Sequence, residues 1–416
     1  MRNSPFLFII VAFMVLLDLY VFQVVKFVSL GASSRTRSFI LIGYWVVSIA
    51  AILCMLILPY LKLDNVSQGL RSVVFSVLVS LFFAKVLAAV FFLLDDIRRL
   101  FQWVAGRLFF SRTEGEHIQE DSGISRSVFL SWIGMAAGGG ILGTLLYGFT
   151  NKYDYQVRQV KLRFPNLPQA FRGMRIVQIS DVHSGSFNNK DAVQRGIDKI
   201  LGLNPDLILF TGDLVNNRAD EMDDYKEVFS RLKAPMGVYS VLGNHDYGDY
   251  EPWPTIQHKK ENLERLKGVH REMGWNLMLN EHTVLERNGE QIALLGIENW
   301  GAKARFPKYG KMAEAYQGAS HLPFKILMSH DPSHWDAEVR PNYPDIDLML
   351  AGHTHGMQFG VELPWLRWSP VQYVYQQWAG LYEKDNQKLY VNRGFGFIGY
   401  PGRVGILPEI TLLEFA

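Results

Sequence analysis

The run Val238-Tyr239-Ser240-Val241-Leu242 stops at Gly243-Asn244-His245-Asp246, and the reading of this junction decides the fold. Alone, it is compatible with a strand ending in an ordinary turn, because Gly, Asn and Asp all favour turns. Three other apolar runs in the same part of the chain end in the same chemistry. Ile176-Val177-Gln178-Ile179-Ser180 enters Asp181-Val182-His183, and Leu207-Ile208-Leu209-Phe210 enters Thr211-Gly212-Asp213. Leu348-Met349-Leu350 enters Ala351-Gly352-His353-Thr354-His355. Asp, Asn and His repeated just past buried strands build a polar site along one rim of a sheet.

Working outward, strands are expected at residues 174–180, 207–210, 238–242, 292–296, 324–328, 346–350 and 389–392, with helices at 191–203 and 221–232. This alternation predicts an α/β layered fold, in which sites gather beyond the carboxyl ends of strands.

The chain before this region is different. Four apolar stretches, about 6–30, 39–61, 73–94 and 128–149, are each long enough to cross a bilayer as a helix, which takes about 20 residues. The fourth contains Gly138-Gly139-Gly140 and Gly143, small residues that let helices approach closely in lipid. Asp18 within the first stretch and the lack of a small-residue cleavage site argue against a signal peptide. The expected organisation is therefore a transmembrane region at 1–150 and a catalytic domain at 151–416. Asp18 and Lys85 are costly in lipid and are expected to pair inside the helix bundle. Arginines 35 and 37 follow the first span, and Arg98, Arg99, Arg107, Arg112 and Arg126 follow the third. The loop between the second and third spans has only Lys62 and Arg71, and Arg2 stands alone at the start. The richer loops belong in the cytoplasm, which places the catalytic domain of an integral cell-membrane protein outside it. Residues 101–110, with Trp103, Leu108 and Phe109 among arginines, read either as an amphipathic segment on the membrane surface or as an ordinary loop helix.

A formal net charge of +2 gives no electrostatic pull toward nucleic acid, and none is expected as a partner. The single cysteine, Cys54, excludes an intramolecular disulfide and a thiolate metal cluster. Carboxylates, an amide and imidazoles suit Mn, Fe, Zn or Mg. Asp181, His183, Asp213, Asn244, His330, His353 and His355 are too many ligands for one tetrahedral ion, and suffice for two divalent ions if one carboxylate bridges. Such a pair clamps a phosphoryl group and activates a hydroxide for attack on phosphorus. His245 is the candidate proton donor to the leaving oxygen, and Asp246 the candidate acceptor that fixes its tautomer.

The ordered motifs D-x-H, G-D, G-N-H-D, an isolated Ser329-His330 and G-H-x-H resemble the calcineurin-like metallophosphoesterase superfamily over residues 174–410. The C-terminal Asn392-Arg393-Gly394-Phe395-Gly396, Pro401-Gly402-Arg403 and Leu407-Pro408-Glu409-Ile410 resemble its bacterial, membrane-associated YkuE-like branch. The resemblance implies a four-layer β-sandwich flanked by helices. It assigns one metal to Asp181, His183, Asp213 and His355. The other would share Asp213 and add Asn244, His330 and His353, with His245 catalytic. Arg393 and Arg403 are candidates either to bind substrate phosphate or to pair with acids.

Residues 356–382 carry Trp365, Trp368, Tyr373, Tyr375, Trp378 and Tyr382, and a second aromatic loop, 247–253, follows His245. Aromatics pack cores, line apolar pockets and favour membrane interfaces. Together with the spans they favour a lipid-linked substrate, with membrane phospholipid and a lipid-linked nucleotide as the first candidates. The expected reaction is hydrolysis of a phosphomonoester, phosphodiester or pyrophosphate bond. The alternative is a membrane sensor or transporter whose soluble domain binds a phosphorylated ligand without turnover. No protein partner is expected.

Overall fold

The computed structural model describes residues 5–57, 68–109, 126–303 and 307–416. The expected end of the second span at Leu61, and Arg2, Lys62, Phe110, Arg112 and His117, lie outside them. The chain divides into two compact units, Met1–Tyr147 and Gly148–Ala416.

The first unit holds helices α1 (Pro5–Val28), α2 (Ser34–Ile57), α3 (Gln68–Phe109) and α4 (Arg126–Gly148). All four are long and apolar enough to cross a membrane, and this is a membrane protein. Large side chains such as Phe39, Ile42 and Val46 lie on the outside, where lipid would meet them. The Asp18 carboxylate is buried and accepts from Lys85 Nζ at 2.5 Å, Ser48 Oγ at 2.8 Å and Tyr44 Oη at 3.0 Å. The charge pair expected from the sequence thus forms, and two hydroxyls share its cost. Helix α3 runs on through the segment expected to be separate, on the membrane surface or in a loop. Nothing between Leu94 and Ala105 breaks a helix, since neither Gly nor Pro occurs there. At 1.5 Å per residue its 42 residues extend about 60 Å, about twice the apolar thickness of a bilayer.

The second unit is built on two six-stranded sheets. Its strands are β1 (Gln156–Leu162), β2 (Arg175–Ile179), β3 (Leu207–Phe210), β4 (Val238–Ser240) and β5 (Asn276–Leu277). They continue with β6 (Glu281–Arg287), β7 (Glu290–Gly296), β8 (Lys325–Met328), β9 (Leu348–Ala351) and the pair β10 (Val361–Leu363) and β11 (Leu366–Trp368). β12 (Gly380–Lys384), β13 (Gln387–Val391) and β14 (Glu409–Phe415) complete the set. One sheet has the order β1-β14-β2-β3-β4-β5 and the other β12-β13-β9-β8-β7-β6, with β10-β11 a separate hairpin.

Alternation along the strands assigns each side chain to a layer. In β2 and β3, Ile176, Leu207 and Leu209 point between the sheets against Ile292, Ile326 and Leu348. Their neighbours Val177, Ile179, Ile208 and Phe210 face helices α5 (Lys190–Gly202) and α7 (Ile256–Glu272). On the far side, Ala293, Leu327 and Met349 pack under Trp335 and Val339. The result is four layers, helix, sheet, sheet and helix, as the resemblance implies. Strands buried on both faces read as continuous apolar runs, which is why these were visible in the sequence. The helix expected at 221–232 is instead two short pieces, a 3-10 turn Ala219–Met222 and the single turn α6 (Lys226–Phe229).

Candidate metal centre

Strands β2, β3 and β4 run parallel in one sheet, as do β8 and β9 in the other. Their carboxyl ends therefore open onto one rim, and each releases its ligand residues there. The backbone turns sharply at these exits. Asp181, His183, Asp213, His353 and His355 all have positive φ, between 48° and 71°. For residues with a Cβ this left-handed conformation costs roughly 1–3 kcal/mol each. It folds five functional side chains back over the sheet edge, and the strain is concentrated at the site.

Two groups of ligand atoms result. Asp181, His183 and His355 form one and Asp213, His330 and His353 the other, each within 4.8 Å. They meet at Asp213, whose Oδ2 is 3.1 Å from His330 Nε2 and 3.6 Å from His183 Nε2. His355 Nε2 is 3.2 Å from Asp181 Oδ1. A cleft of about 210 Å³ lies over them, lined by His183, Asp213, Asn244, His245, Tyr250, His353, His355 and Ile398. All seven sequence-predicted ligands are thus brought together.

The donor set fits divalent cations. His183 Nδ1 and Nε2 are buried without a hydrogen-bond partner, a costly state unless a cation takes a lone pair, and His330 Nε2 and His355 Nε2 face only carboxylate oxygens, at 3.1 and 3.2 Å. His330 Nδ1 donates to the Thr211 carbonyl at 2.8 Å, which turns Nε2 toward Asp213. At His353, the Tyr375 hydroxyl gives its proton to Asp331, so His353 Nε2–H donates to Tyr375 Oη at 2.9 Å. That leaves Nδ1 without a proton, 2.8 Å from Asn244 Oδ1. Two acceptors so close are satisfied by a shared cation.

Electrostatics point the same way. Burial works against charge on Asp181 and Asp213, but the surrounding imidazoles outweigh it and hold both carboxyls well below the usual range. Burial pushes His183 and His353 down, keeping them neutral. At His330 burial also opposes charge, yet Asp213 holds it up, to about 10. A cation is favoured where the proton now sits.

His245 lines the cleft and donates Nδ1–H to the Asn216 carbonyl at 2.8 Å. This corrects one expectation, because Asp246 does not orient the imidazole. Asp246 instead accepts the backbone N–H groups of Gly243, Asp213, Leu214 and Val215 at 2.8–3.2 Å, tying two ligand loops together. The substrate-binding expectation for the arginines also changes. Arg393 is buried between Glu409 and Glu362, with 2.5 Å contacts to each. Arg403 is buried, donates to the carbonyls of Arg393 and Gly394, and reaches His355 Nδ1 at 3.2 Å. Neither lines the cleft. Of the alternatives the sequence left open, pairing with acids holds for Arg393. Sequence reasoning did not assign Asn216 or Tyr375 a part, whereas Asp331, next to His330, reads from the sequence as a turn residue or a support behind the ligands, and it accepts from Tyr375 Oη and Ser333 N. Of the two unassigned residues only Tyr375 carried a signal, as one of the aromatics following the last ligands.

Fold and site together define a metal-dependent phosphoester hydrolase. Residues 174–357 match the family described as calcineurin-like phosphoesterase, and residues 1–152 match the probable calcineurin-like phosphoesterase transmembrane domain. The chain belongs to the calcineurin-like phosphoesterases. It is 30% identical over 276 residues to a zebrafish (Danio rerio) transmembrane protein with metallophosphoesterase domain, covering 64% of this chain and 59% of that one. It is 29% identical over 300 residues to the uncharacterized metallophosphoesterase YkuE of Bacillus subtilis, covering 70% and 96%. Against the UDP-2,3-diacylglucosamine pyrophosphatase LpxG of Chlamydia trachomatis the identity is 26% over 283 residues, covering 56% and 81%. The chain thus spans about three fifths of the zebrafish relative and nearly all of YkuE.

Proposed function

We propose that this chain hydrolyses a phosphodiester or pyrophosphate bond in a lipid-carried substrate, in a bacterial cell membrane with the catalytic unit outside the cytoplasm. The observation that carries the reaction is the convergence of both ligand groups on Asp213. Asp181, His183, Asp213 and His355 would hold one divalent ion, and Asp213, Asn244, His330 and His353 the other. Such a pair, when bound, neutralises phosphoryl oxygens and acidifies water. The remaining work belongs to the chain. Tyr375 and Thr211 fix the rings of His353 and His330. Asn216 holds Nδ1–H of His245, so that in the imidazolium form the second proton, on Nε2, is the one passed to the leaving oxygen, leaving the neutral ring.

A volume of about 210 Å³ is below the usual range for a whole small-molecule ligand, about 300–1,000 Å³. The cleft takes the phosphoryl group and its first neighbours, and the rest of the substrate stays outside it. The four spans and the likeness to LpxG favour a lipid for that remainder. YkuE favours a bacterial membrane, and the arginines after the first and third spans favour an external catalytic unit.

The test is release of phosphorylated headgroup from phospholipid vesicles by the reconstituted chain, after chelation and separate add-back of Mn, Fe, Zn and Mg. Metal-dependent release faster than that from a water-soluble diester is expected. Preference for the soluble diester contradicts the lipid assignment. A phosphatase or fluorescent-protein reporter fused after Ala416 reads the side.

A further inference from the structure

In the aromatic stretch after His355, Tyr375 and Trp378 pack inward, but the β10-β11 hairpin and its neighbour Tyr373 do not. The β10-β11 hairpin turns at Leu363-Pro364-Trp365-Leu366, a tip without a charge. Trp365 is 79% exposed, and Leu363 and Leu366 are exposed beside it. Trp368 Nε1 donates to the Tyr373 hydroxyl at 3.3 Å, which sets Tyr373 (77% exposed) and Val374 next to the hairpin. A two-stranded hairpin alone is marginal in water, and contiguous exposed apolar surface marks an interaction site.

The hairpin is held firmly at its base. Glu362 on β10 accepts from Arg158 of β1 at 2.6 Å and from Arg393 at 2.5 Å. Arg367 on β11 donates to the Ala379 carbonyl at 2.7 Å. Both charges near the tip are therefore paired, although Arg367 stays partly exposed on β11, and the turn itself presents only apolar side chains.

Three contacts indicate what faces them. Gly148 is the last residue of α4 and the first of the second unit. Its carbonyl accepts from Arg403 N at 2.9 Å, and Phe149 packs on Tyr400 with ring centroids 5.5 Å apart. The next residue, Val404, accepts from Gly360 N at 2.9 Å, and Gly360 leads directly into β10. The place where the chain leaves its last apolar helix and the base of the hairpin are thus one hydrogen-bonded strip. At about 3.3 Å per residue the tip lies roughly 15 Å from Gly360. Trp and Tyr are also the residues enriched where bilayer meets water.

We propose that the tip of this hairpin, with Tyr373 and Val374, docks into the interface of the bilayer that the chain's own helices cross. One residue past Val374, Tyr375 holds His353, so a docked hairpin presents the cleft to the lipid surface. The proposal goes beyond the hydrolase reading and does not require turnover.

The full chain, with Cys54→Ser and Trp365→Cys, is labelled with a nitroxide and placed in nanodiscs of phosphatidylcholine and phosphatidylglycerol. Collision with oxygen is compared with collision with a water-soluble nickel chelate by power saturation. Val284→Cys, on the exposed face of β6, is the reference, and Tyr373→Cys gives an independent reading. Labels at 365 and 373 should favour oxygen, and the label at 284 should favour nickel. Nickel access at 365 and 373 equal to that at 284 overturns the proposal. So does a label shielded from both reagents, which would mean a protein covers the hairpin. Neither readout depends on metal or substrate, so its failure is separate from any failure of the hydrolase reading.

Discussion

The backbone N–H of His245 donates to Asp213 Oδ1 at 2.8 Å. That bond leaves Oδ2 alone facing His330 and His183. One carboxylate thus ties the proposed proton donor to both ligand groups, and the local backbone enforces the division of its oxygens. Removing the His245 ring leaves this amide contact in place.

His245→Ala should therefore bind metal as the wild type does while kcat falls about 10²- to 10⁴-fold. The loss should be smaller for p-nitrophenyl esters, whose leaving group needs little protonation. Metal analysis alongside kinetics on esters of poor and good leaving groups checks this. Equal losses on both would remove His245 from the proton transfer.

Gly243 separates the β4 exit from Asn244, and a Cβ there would overlap Asp213 Oδ1. Gly243→Ala has to displace either the carboxylate or the loop. The variant should fold but lose about 10- to 100-fold in metal affinity. Titration with Mn, following the metal bound, measures it. Wild-type affinity would mean that the Asp213 oxygen is not held where the ligand groups meet.

Arg393 is enclosed by Glu409 and Glu362. Arg393→Ala leaves the fully buried Glu409 without its cation, while Glu362 keeps Arg158, and should destabilise the second unit by about 3–5 kcal/mol. KM for a soluble diester should not change. A raised KM with unchanged stability would restore the substrate-binding role.

The ring of His270 is buried on α7, with Nδ1 3.0 Å from Ser240 Oγ, and burial pulls its pKa down to about 3. The unfolded value is about 6.5. Because the folded value lies below the unfolded one, the unfolded chain takes up a proton that the folded chain refuses between those limits. Stability should fall as pH drops below about 6.5, by up to about 1.4 kcal/mol per pH unit from this group. Melting of the second unit at pH 7 and pH 5, in wild type and His270→Gln, should show the smaller acid loss in the variant. Equal losses would contradict it.

The candidate metal ligands were legible in the sequence because each follows closely on a strand buried on both faces, so an apolar run ending in Asp, Asn or His marks the rim. Asp246 was not, because three of its four partners are backbone N–H groups 31–33 residues away and the fourth is the N–H of Gly243, and backbone donors leave no trace in side-chain identity. Arg393 was ambiguous for a related reason. Its acids lie 16 and 31 residues off and meet only when the hairpin folds back. β1 and β14 were missed; β1 is mostly polar, with apolar side chains only at Val157, Val160 and Leu162, and its parallel pairing to β14 makes it part of the sheet.

The most direct test of the dimetal account is hydrolysis of bis-p-nitrophenyl phosphate by the chelated protein, with Mn, Fe, Zn and Mg returned one at a time, beside metal stoichiometry for wild type and Asp213→Ala. The account predicts two bound ions and metal-restored turnover in the wild type, with turnover abolished and at most one ion held in the variant. Metal-independent turnover, or wild-type activity without the Asp213 carboxylate, would contradict it.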